Sequence, residues 1–168
     1  MLDSDATVDM VCDNLAGSAG FAGDWMAWLS NSNLDAGQRI PGWSNPYVLP
    51  DGTRVADGFS VLATYISIDA IYLAHAIDMT EAGDYPDPGT ACPGSGGIPV
   101  WTSTDTLGRW DGYGTCADWT SDEIFAESAD EVNLGDASET NSFWTVFWCD
   151  DYDCSHTASL YCIQINDN

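Results

Sequence analysis

Residues 100–163 contain four stretches rich in tryptophan and cysteine, which are VWT (100–102), CADWTS (116–121), WTVFWC (144–149) and DCSHTASLYCI (153–163). Turn residues separate these stretches, and the last one is an apolar run that contains Cys162. Small extracellular domains build their cores from aromatic side chains and stabilise them with disulfides. The pattern therefore predicts a disulfide-stapled domain with strands at 98–102, 116–121, 143–149 and 159–165.

The composition predicts one folded domain over residues 1–168 with a very acidic surface. Eight Trp, seven Tyr and five Phe provide enough large apolar side chains for a core. The chain has 27 acidic residues against three Arg and no Lys, so its net charge is −24. A nucleic-acid binder or an anionic-membrane binder would need a basic patch, and none is expected here. The carboxylates either form a solvated surface or converge in part on Ca²⁺.

The six cysteines indicate disulfides rather than a zinc site. They lie at positions 12, 92, 116, 149, 154 and 162, without a CxxC pair, and the chain has only two His. Six cysteines leave fifteen pairings open. Disulfides predict a secreted, extracellular protein whose signal peptide is absent from this chain. The apolar stretch 59–77 is interrupted by polar residues, so we expect buried core there and no membrane insertion.

Apolar spacing and turn residues predict the remaining elements. Apolar residues at 8, 11, 12, 15 and 16 predict a helix, which Gly17, Gly20 and Gly23 should end. Residues 24–30 are expected to form a strand or a short helix, and residues 35–39 a short helix. Asp51-Gly52 should turn a hairpin over 47–55. A helix is predicted at 57–65, a strand at 70–77, and long loops at 78–97 and 122–142.

The stretches at both ends of the chain resemble a known family. VDMVCDNLAGSAGFAGDWMAWLS (8–30), VWTSTDTLG (100–108), CADWT (116–120) and DCSHTASLYCIQIN (153–166) are similar to the opening and closing parts of endostatin-type domains. These domains are a variant of the C-type lectin-like fold. The resemblance implies an α+β domain with mixed, twisted antiparallel sheets, one or two short helices, long loops and disulfides.

The resemblance also implies how the cysteines pair. Cys12 would bond to Cys162 and tie the first helix to the last strand, and Cys116 would bond to Cys154. Cys92 and Cys149, which have no counterpart in the family pattern, are then left to pair with each other.

The best-known ligands of related domains are not expected here. Animal endostatins bind heparan sulphate through arginine clusters and zinc through histidines near the N terminus. In this chain Arg39, Arg54 and Arg109 are the only Lys or Arg residues, and no His precedes His75. The Glu-Pro-Asn, Gln-Pro-Asp and Trp-Asn-Asp tripeptides of calcium-dependent lectins are also absent. We expect Arg39 and Arg54 to form structural ion pairs.

Two acidic groups are the candidate Ca²⁺ sites. Asp150, Asp151 and Asp153 crowd the stretch between Cys149 and Cys154, and Glu127, Asp130 and Glu131 lie in the loop 122–142. Carboxylates this close repel one another unless a cation or solvent relieves them. An exposed acidic turn is the alternative in both places.

Aromatic residues in turns are the candidate ligand contacts. Trp43, Trp110 and Tyr113 are flanked by turn residues, from which a ring can stack on a sugar or a partner. Packing beneath a loop is the alternative for each. The tryptophans in strand-like runs, at 101, 119, 144 and 148, are expected in the core.

No catalytic apparatus stands out in the sequence. Asp153, Ser155 and His156 have the side chains of a triad, but sequence neighbours seldom converge as a relay. We therefore expect a secreted, non-enzymatic recognition, adhesion or structural module that binds an extracellular protein or glycan. Ca²⁺ is its one candidate cofactor, and no organic cofactor is expected. The alternatives are a calcium-dependent carbohydrate-binding lectin and a subunit of a cation-bridged assembly, such as a homo-oligomer or filament.

Overall fold

The computed structural model describes residues 5–63, 73–86, 97–120, 132–147, 149 and 152–166. Over these residues the chain is an α+β structure with three antiparallel sheets of two strands each. The helices are α1 (Asp5–Ala19), α2 (Ala36–Arg39) and α3 (Phe59–Leu62), and two single turns, one left-handed (Cys116–Trp119) and one 3₁₀ (Ser142–Trp144), follow. The strands are β1 (Trp25–Ala27), β2 (Tyr47–Val48), β3 (Arg54–Ala56), β4 (Pro99–Trp101), β5 (Leu134–Asp136) and β6 (Cys162–Gln164).

Helix α1 forms where apolar spacing predicts it and extends beyond the prediction at its C-terminal end. Its buried residues recur every four positions, at Val8, Cys12 and Ala16. Gly17 lies inside the helix instead of ending it. Gly20 ends it, with a φ of +87°. The Phe21 amide donates to the Ala16 carbonyl at 2.9 Å, so the terminal carbonyls are satisfied by a Schellman motif.

The first and the last strand of the described chain pair in one sheet. Strand β1 pairs antiparallel with β6, with Met26 opposite Ile163. The Cys12–Cys162 disulfide then ties α1 to β6, as the resemblance implies. The strands predicted at 24–30 and 159–165 are thus confirmed, but each is only three residues long.

Strand β4 lies inside the predicted strand 98–102, and its partner β5 corrects the prediction of an uninterrupted loop at 122–142. Residues Leu134–Asp136 pair with β4 and are all buried. The Gly-Asp pair in this segment is typical of a turn, but the Asp136 carboxylate accepts the Ile98 amide at 3.0 Å and the Ser138 amide at 2.9 Å. A buried carboxylate that caps the strand end explains why a turn-like sequence lies in a sheet. Residues 122–131 lie outside the described chain.

The strands predicted at 143–149 and 70–77 are wrong where the structure describes them. Ser142–Trp144 is a 3₁₀ turn begun by Asn141, whose side chain accepts the Phe143 amide. Within the predicted strand 143–149, Phe147 forms only an isolated bridge with Leu134. Residues 73–77 form no strand, because their amides bond singly to separate segments; one example is Leu73 to the Thr140 carbonyl.

The predicted hairpin and short helices are confirmed. Strands β2 and β3 flank Asp51 and Gly52, and Gly52 takes the positive φ of +87° that such a turn requires. Helix α2 matches the helix predicted at 35–39, and α3, which is only four residues long, lies inside the one predicted at 57–65. Residues 78–86 form neither helix nor strand, as predicted, and 87–96 lie outside the described residues.

Residues 116–119 form a left-handed helical turn, so the strand predicted at 116–121 is wrong for this segment. The φ angles of Cys116, Ala117, Asp118 and Trp119 lie between +51° and +65°. Non-glycine residues adopt this conformation at a cost, which neighbouring contacts must offset. The contacts are the Cys116–Cys154 disulfide, a hydrogen bond of 2.9 Å from the Trp119 indole to the Ser30 carbonyl, and bonds from Ser32 to Asp118.

Tryptophans form the centre of the core. Trp101, Trp119 and Trp144 are buried there, as predicted. Trp28 and Trp144 lie 5.2 Å apart at the centre of one cluster, and Trp101 and Trp119 lie 5.9 Å apart in a second. All four rings are buried. Trp148 lies outside the described residues.

Two of the three predicted disulfides are present, and the third is half described. The bonds Cys12–Cys162 and Cys116–Cys154 both form. Cys149 is also disulfide-bonded, while Cys92, its predicted partner, lies outside the described residues.

Candidate functional site

A cleft of about 820 Å³ opens on one side of the described structure. Its walls come from α1, the β2–β3 hairpin, the segment around Ile77 and Met79, and the residues that lead into β6. Because Cys12 and Cys162 both line the cleft, their disulfide fixes the α1 wall against the β6 wall. The part of the lining where α1 meets β6 is therefore fixed by a covalent bond.

The lining of the cleft is mainly apolar and aromatic. Aromatic residues from three separate segments contribute to it, at Phe21, Trp25, Trp43, Tyr47 and Tyr161. Leu15 and Val48 also line it, and they remain 41% and 57% exposed. Sequence spacing places Leu15 on the buried face of α1, but that side chain opens to the cleft. Exposed apolar side chains around a concave surface are typical of binding sites.

The surroundings of the cleft are acidic. Glu81 lines it, and Asp13, Asp24 and Asp51 are exposed beside lining residues. Hydrogen bonds from the Thr53 backbone, and then from its side chain, lower the pKa of Asp51, so this carboxylate stays charged. Burial raises the pKa of Tyr47, so its phenol stays neutral. The cleft thus combines a neutral interior with a negative margin.

Two of the three arginines are already paired. Arg39 contacts both oxygens of Asp9 at 2.6 Å, and Arg54 pairs with Asp57. Both predicted ion pairs are confirmed. Neither cation neutralises the four carboxylates beside the cleft.

The predicted ligand-contact residues fall in two places. Trp43 lines the cleft and is half-buried. Trp110 and Tyr113, which are 39% and 38% exposed, lie instead on the loop 105–114 and do not line it. The Trp110 amide donates to Asp35 at 2.8 Å, and its indole donates to the Tyr113 carbonyl at 2.9 Å. These bonds fix the Trp110 ring against the Tyr113 backbone, on a surface apart from the cleft.

The predicted acidic sites are described only at Asp153. Its Oδ1 accepts the Ser155 hydroxyl at 2.6 Å and the Ser155 amide at 2.9 Å, and lies 3.1 Å from His156 Nδ1. The bond from the Ser155 hydroxyl is the main cause that lowers the pKa of Asp153. Serine and histidine both face the same carboxylate oxygen, which is a turn arrangement and not a relay. Asp150, Asp151, Glu127, Asp130 and Glu131 lie outside the described residues.

Within the described ranges, no three His, Cys, Asp or Glu side chains are grouped to hold a metal ion. No described helix is long and apolar enough to cross a membrane.

The sequence matches no protein-family model and no curated protein at a significant level.

Proposed function

We propose that this protein is a secreted, non-enzymatic recognition module with an endostatin-like, C-type lectin-like fold. We propose further that it binds a segment of a partner protein in the cleft. The disulfides support an extracellular location, because such bonds persist in oxidising compartments. The observation that carries the proposal is the cleft itself, an open apolar concavity of about 820 Å³ on a covalently fixed frame.

The chemistry of the cleft selects the occupant. Leu15, Val48 and the aromatic lining offer apolar contacts, and burying one aliphatic side chain there contributes about 1.5–3 kcal/mol. The four carboxylates at the margin favour a positively charged partner and disfavour an acidic one. A peptide segment that carries Lys or Arg beside aliphatic or aromatic side chains matches both features. The disulfide-held walls need little reorganisation on binding.

A peptide-display selection on the immobilised protein tests this proposal. The selected peptides should be enriched in Lys or Arg next to apolar residues. Leu15→Gln and Val48→Thr should each weaken their binding about tenfold, which corresponds to 1.4 kcal/mol of lost apolar contact. Leu34→Gln is the matched control, because Leu34 is 39% exposed and does not line the cleft. Equal binding by all three variants would overturn the proposal, and so would enrichment of acidic peptides.

Carbohydrate binding is a second candidate, favoured by the exposed pair Trp110 and Tyr113. Two rings at one surface can stack on a sugar ring. A glycan array read with and without Ca²⁺ tests this candidate. Trp110→Ala should abolish any signal from that surface, and a signal unchanged in this variant would exclude the pair as the sugar site.

A further inference from the structure

Glu81 differs from the other three carboxylates beside the cleft. Each of those accepts a hydrogen bond from the chain itself: Asp13 from the Trp25 amide, Asp24 from the Asn166 side chain and Asp51 from the Thr53 amide. Among the described residues, the exposed Glu81 side chain takes part in no hydrogen bond or ion pair. It is also the one carboxylate among the described residues that line the cleft. Glu81 is therefore the carboxylate that a bound segment meets first.

The chain has no positive side chain of its own in the cleft. Its three Arg and two His all lie in the described ranges, and none of the five lines the cleft. Arg39 and Arg54 are paired elsewhere, and Arg109 lies on the loop 105–114. A cation that enters with a ligand can therefore pair with Glu81 without displacing an existing ion pair.

A tight turn fixes the backbone of Glu81 at the edge of the cleft. The Thr80 amide donates to the Asp84 carbonyl at 2.8 Å, and the Gly83 amide donates to the Thr80 carbonyl at 2.9 Å. The Thr80 hydroxyl accepts the Asp84 amide at 3.2 Å, and Gly83 has a φ of +84°. These bonds match a three-residue loop with glycine in the left-handed position. Binding at Glu81 therefore requires little ordering of the backbone.

The wall that carries Glu81 is apolar immediately before it. Ile77 and Met79 line the cleft, are half-buried, and pack against the core cluster that contains Trp28. Lys and Arg have an apolar stem and a charged head, and they bury the stem on apolar surface. Residues 77–81 thus offer a surface for the stem and a carboxylate for the head.

We propose that Glu81 binds the Lys or Arg side chain of the partner segment and is the residue that selects a basic segment. The inference rests on the proposed function and deepens it, because it assigns the partner's cation to one position in the cleft. The stem of that side chain packs on Ile77 and Met79, and its head donates to the Glu81 carboxylate. An acidic side chain at the same position would meet a like charge, which adds discrimination.

Fluorescence anisotropy with the full chain tests the inference. The probe is the tightest-binding labelled peptide from the display selection, together with copies in which each Lys or Arg is replaced in turn by Met. Glu81→Gln should weaken the original peptide about fivefold, as expected for a partly exposed ion pair. One Met copy should bind Glu81→Gln and the wild type equally. Glu81→Lys should prefer a copy that has Glu at that position over the original peptide.

Two variants are the matched controls. Asp84→Asn lies in the same turn, is exposed and does not line the cleft. Asp51→Asn removes a charge beside the cleft but retains an oxygen for the Thr53 amide. Both should bind the original peptide within about twofold of the wild type, because solvent and salt screen charges that make no direct contact.

The outcomes separate the inference from the proposed function. Glu81→Gln binding like the wild type would overturn the inference, and so would equal losses in Glu81→Gln and Asp51→Asn or an equal effect of Glu81→Gln on every peptide copy. In those cases the proposed function stands if Leu15→Gln still weakens binding. The absence of any binding peptide, or unchanged binding by Leu15→Gln, would overturn both.

Discussion

The buried arginine shows how one side chain can hold distant segments together. Arg39 is 4% exposed, makes two hydrogen bonds of 2.6 Å to Asp9 on α1, and donates to the Leu29 carbonyl at 2.8 Å. Arg54 makes the comparable pair with Asp57 at the surface, where its side chain is 57% exposed.

We expect Arg39→Leu to lower the free energy of unfolding by about 3–5 kcal/mol, because it leaves the Asp9 carboxylate part-buried without its partner. The control Arg54→Leu should change it by less than about 1 kcal/mol, since exposed pairs are screened by solvent. Urea denaturation of both variants measures the difference. Equal losses in the two variants would contradict the structural role assigned to Arg39.

Asp118 should make stability depend on acid pH. Partial burial raises the pKa of Asp118, but hydrogen bonds from the Ser32 amide and hydroxyl and from the Thr115 hydroxyl outweigh it, so the net pKa is lowered. A carboxylate with a lowered folded-state pKa stabilises the folded state fully at pH values above its ordinary pKa of 3.8. That contribution is lost as the pH falls through the lower folded-state pKa.

The Tm advantage of the wild type over Asp118→Asn should therefore shrink as the pH falls from about 5 to about 2. Thermal unfolding followed by circular dichroism over this range measures it. Asp84→Asn serves as the control, because the Asp84 side chain is exposed. An advantage that stays constant down to the lowest pH would contradict the linkage.

At the level of elements, the sequence predicts those helices and turns that are determined by interactions between near neighbours in the chain. The four-residue spacing of Val8, Cys12 and Ala16 specifies a helix, and Asp51-Gly52 specifies a hairpin, because both signals act between near neighbours. The left-handed turn at Cys116–Trp119 could not be predicted in this way. It is held by Cys154, Ser30 and Ser32, which lie far away in the sequence.

Strand β5 depends on close backbone packing at Gly135. A Cβ atom there would lie 2.9 Å from the Trp144 carbonyl carbon and closer still to its oxygen. We expect Gly135→Ala to destabilise the protein by about 1–3 kcal/mol, because backbone atoms cannot move aside as a side chain can. The control Gly17→Ala meets nothing within 4 Å on α1 and should stabilise by about 0.5–1 kcal/mol. Opposite signs in a denaturation experiment are the expected result, and a neutral Gly135→Ala would contradict the packing.

For the whole molecule, the Cys12–Cys162 bond closes almost the entire chain. It joins residues 150 positions apart. In the chain-entropy model, a loop of that length stabilises the folded state by about 5 kcal/mol. Replacing both cysteines by alanine should lower the free energy of unfolding by a comparable amount and weaken peptide binding, because Cys12 on α1 and Cys162 on β6 both line the cleft. A loss below about 1 kcal/mol would contradict this role.

The cleft as a whole could not be predicted from the sequence. Its walls come from segments around residues 11–25, 43–55, 77–86 and 158–164, which meet only in the fold. Of the three predicted ligand-contact residues, only Trp43 lines the cleft. Its position in a turn indicates that its ring is accessible. Leu15 is misplaced by helical spacing alone, because periodicity identifies an apolar face and cannot say whether that face is covered.

The recognition function is tested most directly by amide NMR of the ¹⁵N-labelled protein, titrated with a basic, apolar peptide from the display selection. Binding in the cleft predicts that shift changes concentrate at Leu15, Val48, Met79 and Leu160, which line its walls. Changes concentrated in the loop 105–114, with these four amides unmoved, would contradict the cleft as the recognition surface.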